Sequence, residues 1–258
     1  MNTYESFKAD ILKMTEIDLN AYKEKQMKRR IDSLIAKHGV DGYDNFVRLL
    51  RSNHDVFEEF VNYLTINVSE FYRNPNQWDI LENDILPQLL KQSGNNLKIW
   101  SAACSTGDEP YSLIMLLSKF MPLEKTHVLA TDIDNQVIEK AKAGLYSEKS
   151  LAGLPSAFRE RFFSKVGEKN YAISPEVKKR VTFQQHNLLK DSYPTGLDMI
   201  VCRNVMIYFT EEAKEEIYQK FHQALRPGGI LFVGSTEQII NSSRIGFQSK
   251  YSFFYEKV

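Results

Sequence analysis

The sequence predicts an α/β protein with an all-helical domain ahead of its sheet and a small β-insertion, and three observations predict this. Residues 1 to about 70 carry apolar side chains at helical spacing only; from Leu97 short apolar runs alternate with helix-like ones; between Leu145 and Arg180 that alternation lapses. With 258 residues, 43% of them hydrophobic, the chain can bury a sizeable core in one or two domains.

In the first stretch Met27, Ile31, Leu34 and Ile35 recur at helical spacing and Gly39 follows as a stop. Phe46, Val47, Leu49 and Leu50, then Phe57, Phe60, Val61 and Leu64, continue the pattern. We read residues 1–75 as the helical domain, 76–96 as a linker and helix ending in the polar break "QSGNN", and 97–258 as the α/β domain, with its insertion at about 145–180. Strands are expected at Leu97–Ala102, Val128–Thr131, Val181–Gln185, Met199–Cys202, Gly229–Gly234 and Tyr251–Glu256. A helix from Glu211 to Leu225 should stop at "LRPGG", where proline and paired glycines break it. Within the insertion, "RFFSKVGEKNYAISPEV" reads as a short hairpin turning near Gly167, inserted into the main sheet.

Composition excludes several function classes. Lysine plus arginine equals aspartate plus glutamate at 33 each, so no global field draws the chain to nucleic acid. No apolar run approaches the roughly 18 residues of a membrane span, and the N-terminus lacks a signal-peptide core, so a cytoplasmic protein without membrane insertion is expected. Cys104 and Cys202 make no disulfide framework and read as small buried residues. The five histidines are scattered, with neither an HExxH helix nor a CxxC set, and no metal site is expected.

The segment "IWSAACSTGDEPYSL", Ile99 to Leu113, joins a strand to a helix through small side chains and ends its bend on Asp108 and Glu109. Small residues let backbone approach a bound molecule, and the helix start offers amides. Two carboxylates there disfavour a phosphate and suit a nucleotide-like ligand with a cationic end; the bland alternative is that they simply favour a helix start. Asp132 closes the next strand, "HVLATDID", where ribose hydroxyls are accepted in dinucleotide-type folds. Asp134 is better placed to cap the helix that follows.

At "CRNVMIYF", Cys202 to Phe209, the chain resembles the CheR-type chemotaxis receptor glutamate methyltransferases, and the likeness extends almost end to end. "TINVSEFYRN", "WSAACSTGDEPYS", "ATDID", "NLL", "CRNVMIYF" and "LRPGGILFVGSTE" follow in family order. The resemblance implies a class I S-adenosylmethionine-dependent methyltransferase (Rossmann-like) sheet with the helical domain and β-subdomain already read. It implies S-adenosylmethionine as donor, S-adenosylhomocysteine as product, and glutamyl methyl esters on the cytoplasmic helical domains of methyl-accepting receptors. It places Asn67, Ser69, Arg73, Glu109, Asp132, Asn187, Leu188, Arg203 and Asn204 in the cofactor shell, with Arg73 and Tyr208 as the catalytic pair. The first loop departs from the glycine-rich signature of most class I enzymes, holding only Gly107, a departure the CheR pattern shares.

The residue chemistry agrees. A glutamate acceptor, with an unperturbed pKa of about 4.3, is already ionised and needs no strong general base. Alignment and exclusion of water should matter more than proton transfer. Arg73 can hold a carboxylate by paired N–H donors, positioning more than activating, and Tyr208 can turn its hydroxyl or ring to the sulfonium.

The run "YKEKQMKRR" sets Lys23, Lys25, Lys28, Arg29 and Arg30 beside the apolar stripe of one helix; the resemblance implies receptor docking there, against acidic receptor helices. Recruitment to membrane receptor arrays and a monomeric state follow as expectations. Family members that tether to a receptor's C-terminal pentapeptide carry a longer, glycine-richer hairpin loop than "SKVGEKNYAIS", so pentapeptide binding is not expected. Two other readings compete: a nucleic-acid methyltransferase, against which "RNVMIYF" lacks the Asn/Asp-Pro-Pro-aromatic element, and a non-catalytic cofactor-sensing receptor binder.

Overall fold

The computed structural model describes residues 3–93 and 96–258; Gly94 and Asn95 of the polar break lie outside the described residues. The chain packs as two units, Met1–Asn67 with Tyr208–Glu215, and Val68–Ile207 with Glu216–Val258.

The first unit consists of helices α1 (Tyr4–Thr15), α2 (Glu24–Lys37), α3 (Gly42–Ser52) and α4 (His54–Thr65). Asn53 starts α4 by accepting the Val56 N–H at 3.2 Å. The expected stripe of Met27, Ile31, Leu34 and Ile35 is buried. Phe7, Phe46 and Phe60 meet at its centre, with ring centroids 5.7–6.4 Å apart. Residues 208–215 return to this unit: the Tyr208 carbonyl accepts the Lys23 N–H at 2.9 Å, and Phe209 packs 4.8 Å from Tyr22. Nothing in the sequence pattern announced that return.

One expectation of the basic helix needs correcting. Lys23, Lys25, Lys28 and Arg29 are exposed, but Arg30 is turned inward. Its guanidinium donates to the Tyr63 carbonyl at 2.5 Å and lies 4.3 Å over the Tyr63 ring, joining α2 to α4. Arg30 is therefore a packing residue of the bundle, not a free docking charge.

The second unit begins with α5 (Pro75–Ile80), which runs through a π-helical stretch (Leu81–Ile85) into α6 (Leu86–Ser93). There follow β1 (Ile99–Ala102), α7 (Asp108–Leu117), β2 (Val128–Asp132), α8 (Asn135–Ala143), β3 (Leu145–Ser147), α9 (Ser156–Phe162), β4 (Phe163–Val166), β5 (Asn170–Ile173), α10 (Pro175–Lys178), β6 (Val181–Gln185) and β7 (Leu197–Cys202). Helix α11 (Glu211–Ala224) leads out of the returning segment, and β8 (Leu225–Val233), β9 (Phe247–Tyr251) and β10 (Phe254–Lys257) complete the sheet. The main sheet runs β6-β2-β1-β7-β8-β10-β9. Its first five strands are parallel, and β10 runs antiparallel to both of its neighbours, β8 and β9. Strands β1 and β7 are buried along their whole length, as parallel strands covered on both faces must be. The chain steps outward from β1 to β2 and β6, then crosses back to β7, so the strand order reverses between β1 and β7.

Three local expectations differ from the structure. The insertion forms the expected β-subdomain but with three strands rather than a hairpin's two; β4 and β5 pair with β3 in a separate sheet of order β3-β5-β4. The expected last strand is two, β9 and β10, folded back at Tyr251–Phe254 with Phe253 at φ 70. Strand β8 starts at Leu225, before the proline and glycines, which are absorbed as a register shift opposite Leu197 and Met199. Among the described residues no helix is long and apolar enough to cross a membrane, and no group of three or more His, Cys, Asp or Glu could hold a metal.

Replacing Arg30 with Met should cost about 2 kcal/mol, the sum of a charged hydrogen bond and a cation–π contact, whereas Arg29→Met should stay within about 0.5 kcal/mol. Urea unfolding of the two variants checks this; equal losses would show that Arg30 contributes nothing special.

Candidate active site

The reversal of strand order leaves a crevice outside the carboxyl ends of β1 and β7, the place where ligands bind in open α/β sheets. The loop after β1 shapes one wall. Ala103 (φ 63) and Ser105 (φ 48) adopt left-handed backbone without being glycine, a cost of about 1–3 kcal/mol each that the surroundings must impose. The Cys104 N–H donates to the Thr131 carbonyl and the Ser105 N–H to Asp132 Oδ2 at 2.8 Å, fastening the loop to the end of β2. Gly107 (φ 87) cannot be replaced, since a Cβ would stand 2.8 Å from that of Ala141.

Asp132 is 6% exposed, its other oxygen accepting the Asp134 N–H at 3.0 Å. Burial pushes its pKa up to about 6 against these lowering amide bonds. Asp134 caps α8 through the Gln136 N–H, the division of labour the sequence suggested. The two carboxylates at the start of α7 also part company. Asp108 turns inward and accepts the Thr106 hydroxyl at 2.5 Å, while burial raises its pKa. Glu109 faces the crevice, accepts the Ser101 hydroxyl at 2.8 Å and stands 3.5 Å from Arg203 Nη1. Burial raises the Glu109 carboxyl; the Arg203 charge opposes that rise.

Arg203, whose side chain is 2% exposed, is the most connected group here. Nη2 donates to the Arg73 carbonyl and to Gln77 Oε1, both at 2.7 Å, and to Asn74 Oδ1 at 3.1 Å. Its guanidinium lies 4.8 Å from the Phe232 ring centre and 5.9 Å from that of Trp78. Burial lowers its pKa against the pull of Glu109.

The crevice is lined by Val68, Ser69, Glu70, Arg73, Ala103, Cys104, Ser105, Glu109, Arg203 and Asn204. Five expected residues thus converge: Ser69, Arg73, Glu109, Arg203 and Asn204, with Asp132 tied to the same loop. Asn187 and Leu188 follow β6 at the same edge of the sheet, where the Asn187 side chain accepts the Leu189 N–H at 3.0 Å; they are not among the lining residues. Asn67 and Tyr208 belong to the first unit, where Asn67 Nδ2 donates to Thr65 Oγ1 at 2.8 Å.

Residues 67–252 match the family described as "CheR methyltransferase, SAM binding domain", and residues 2–65 match "CheR methyltransferase, all-alpha domain". The chain belongs to the CheR methyltransferase family. A chemotaxis protein methyltransferase of Listeria monocytogenes is 44% identical over 241 residues, 93% of this chain and 92% of its own. One from Listeria innocua is 43% identical with the same coverage, and chemotaxis protein methyltransferase 1 of Pseudomonas aeruginosa is 34% identical over 92% of this chain and 90% of its own. As a CheR-family chain it is an S-adenosylmethionine-dependent methyltransferase.

The residues present fit that donor. Ser105 Oγ and Arg203 Nε, both on lining residues, are buried polar atoms without a hydrogen-bond partner, and small side chains keep the loop backbone close to the open space. Sequence reasoning missed Ser101 and Gln77, which orient Glu109 and Arg203, and Glu237, whose carboxylate accepts the Asn204 N–H. No local pattern in the sequence marked these three.

Proposed function

We propose that this CheR-family chain methylates glutamate side chains on the cytoplasmic helices of chemotaxis receptors, forming glutamyl methyl esters. The observation that carries the reading is the crevice at the β1/β7 reversal, with Arg73 on its rim, in a chain similar over nine-tenths of its length to named chemotaxis protein methyltransferases. When bound, S-adenosylmethionine supplies an electrophilic methyl carbon on a sulfonium.

In this reading Asn67, Ser69, Glu109, Asp132, Asn187, Leu188, Arg203 and Asn204 hold the donor. Asp132 takes the ribose hydroxyls, and Glu109, already countered by Arg203, faces the amino end. Arg73 and Tyr208 form the catalytic pair. Support for Arg73 comes from how it is held: its carbonyl is pinned by Arg203, whereas its guanidinium makes one long bond, 3.4 Å to the Val68 carbonyl, and can swing to a carboxylate. The helical domain, 1–75 by sequence, presents Lys23, Lys25, Lys28 and Arg29 to acidic receptor helices, which would bring a monomeric enzyme to receptor arrays.

Labelled donor, incubated with this protein and receptor cytoplasmic fragments, should yield base-labile label on the receptor; stable label or none would overturn the reading. In the same assay Arg73→Ala should lower kcat/KM by about 100-fold with little loss of stability. Normal turnover by the folded variant would remove Arg73 from the mechanism.

Asp132 gives the site a pH dependence. Its carboxylate is the better acceptor for donor hydroxyls and protonates as pH falls through about 6, so product affinity should drop up to about tenfold between pH 7.5 and 5. Asp132→Asn should flatten that profile in calorimetry; an unchanged slope would assign it elsewhere. The sign for folding is opposite. A carboxyl raised from 3.8 to about 6 costs stability in full above pH 6, a cost relieved as pH falls toward 4.

Reversing Lys25 and Arg29 to glutamate, leaving Arg30 in place, should raise the receptor KM several-fold with cofactor affinity unchanged. Unaltered receptor kinetics would remove the helix from docking.

A further inference from the structure

Glu237 is a buried carboxylate, 4% exposed, in the turn that follows β8. The turn closes on itself through the Glu237 N–H and the Gly234 carbonyl at 3.0 Å, and the side chain folds back over it. Oε2 accepts the N–H groups of Asn204 at 2.7 Å and Gly234 at 2.8 Å, and Oε1 accepts that of Ile207 at 3.3 Å. One side chain thus gathers amides from two separate loops, the one after β7 and the one after β8. The space is built for it: a Cβ on Gly234 would stand 2.5 Å from Oε2 and 2.8 Å from the Asn204 nitrogen, so only glycine admits the carboxylate here.

A carboxylate held this way is an expensive means of filling an interior, since its charge must be taken out of water. An apolar side chain of the same volume would pack the turn at lower cost but would leave three amides unpaired and free to reorient. What the carboxylate adds is geometry. Asn204 lines the crevice, and its backbone is left-handed at φ 62, one of several conformations open to asparagine, so an outside contact is needed to select it. The 2.7 Å bond from Glu237 to the amide of that same residue supplies it.

We propose that Glu237 is a positioning residue of the methyltransferase site, fixing Asn204 and the segment to Ile207 in the shape that receives the donor. The inference rests on the reading of the crevice as the donor site. It acts through backbone, so it should govern donor binding and leave receptor recognition alone.

The test compares Glu237→Gln, which keeps length but leaves one carbonyl oxygen for three donors, with Glu237→Asp, which keeps charge but withdraws it by one methylene. Calorimetry with S-adenosylhomocysteine and kinetics with receptor fragments are read on each, beside thermal melting and circular dichroism. In the folded variants we expect the dissociation constant for S-adenosylhomocysteine and the donor KM to rise together by about tenfold, with receptor KM unchanged. A purely structural role would lower the melting temperature without that split. Parent-like donor affinity in either folded variant overturns the proposal, as does failure of both to fold, which would assign Glu237 to stability alone. If the parent chain itself binds no S-adenosylhomocysteine, the donor-site reading fails; if the parent binds and the folded variants match it, only the positioning role fails.

Discussion

The ion pair of Arg203 with Glu109 is the constraint on which the site depends. A guanidinium with a 2% exposed side chain is tolerable only if its charge is met; here one carboxylate stands 3.5 Å from Nη1, and one backbone carbonyl and two side-chain oxygens accept from Nη2, which leaves Nε as the donor without a partner. Those partners come from the first turn of α7 and from α5 and the chain entering it, while Arg203 itself directly follows β7. Removing either charge would leave the other buried alone, a loss of about 3–5 kcal/mol. The pair therefore locks together three segments that are distant in sequence. It also decides what Arg73 can do, because the backbone of that residue is fixed by Arg203 and its side chain is not.

Opposite this pair, the loop after β1 is held by groups outside itself. Left-handed Ala103 and Ser105 would relax if free, but the Thr131 carbonyl and the Asp132 carboxylate bind the amides of Cys104 and Ser105, and Tyr146 donates its hydroxyl to the Thr106 carbonyl. Tyr146 belongs to the three-stranded sheet, so the insertion, whatever else it contacts, props the loop that lines the crevice. Asp132 consequently carries two duties. It organises the loop through one amide and begins the next helix turn through another, and its buried carboxyl is left with a raised pKa.

Much of this was legible in the sequence where a pattern is long or a residue type has one use. Strand β6 falls on the expected residues, and the separation of Asp132 from the capping Asp134 followed from distance to the helical pattern. The insertion was legible as a β-subdomain but its third strand was not, because β3 is three residues long and alternation over three residues carries no information. Arg30 was legible in principle. It lies three residues after Met27 and four before Leu34, on the border of the buried stripe, whereas Arg29 lies off it; treating the basic run as one charge patch hid that difference. Glu237 and the return of residues 208–215 were hidden for another reason, since both depend on partners about 30 or nearly 200 residues away that no local pattern marks.

The charges of the crevice suit the chemistry proposed for it. Its lining carries two acidic side chains, Glu70 and Glu109, and two basic ones, Arg73 and Arg203, a formal balance of zero. Methyl transfer from a sulfonium to a carboxylate consumes one positive and one negative charge as the new bond forms. A wall with a strong excess of either sign would stabilise one charged reactant and lose that stabilisation at the transition state, raising the barrier. A wall of paired charges orients both partners through hydrogen bonds and costs less when their charges fade. Arg73, whose guanidinium makes one long hydrogen bond, is thus best understood as a guide for the incoming carboxylate, and the fixed Arg203–Glu109 pair as the support that keeps the guide in register.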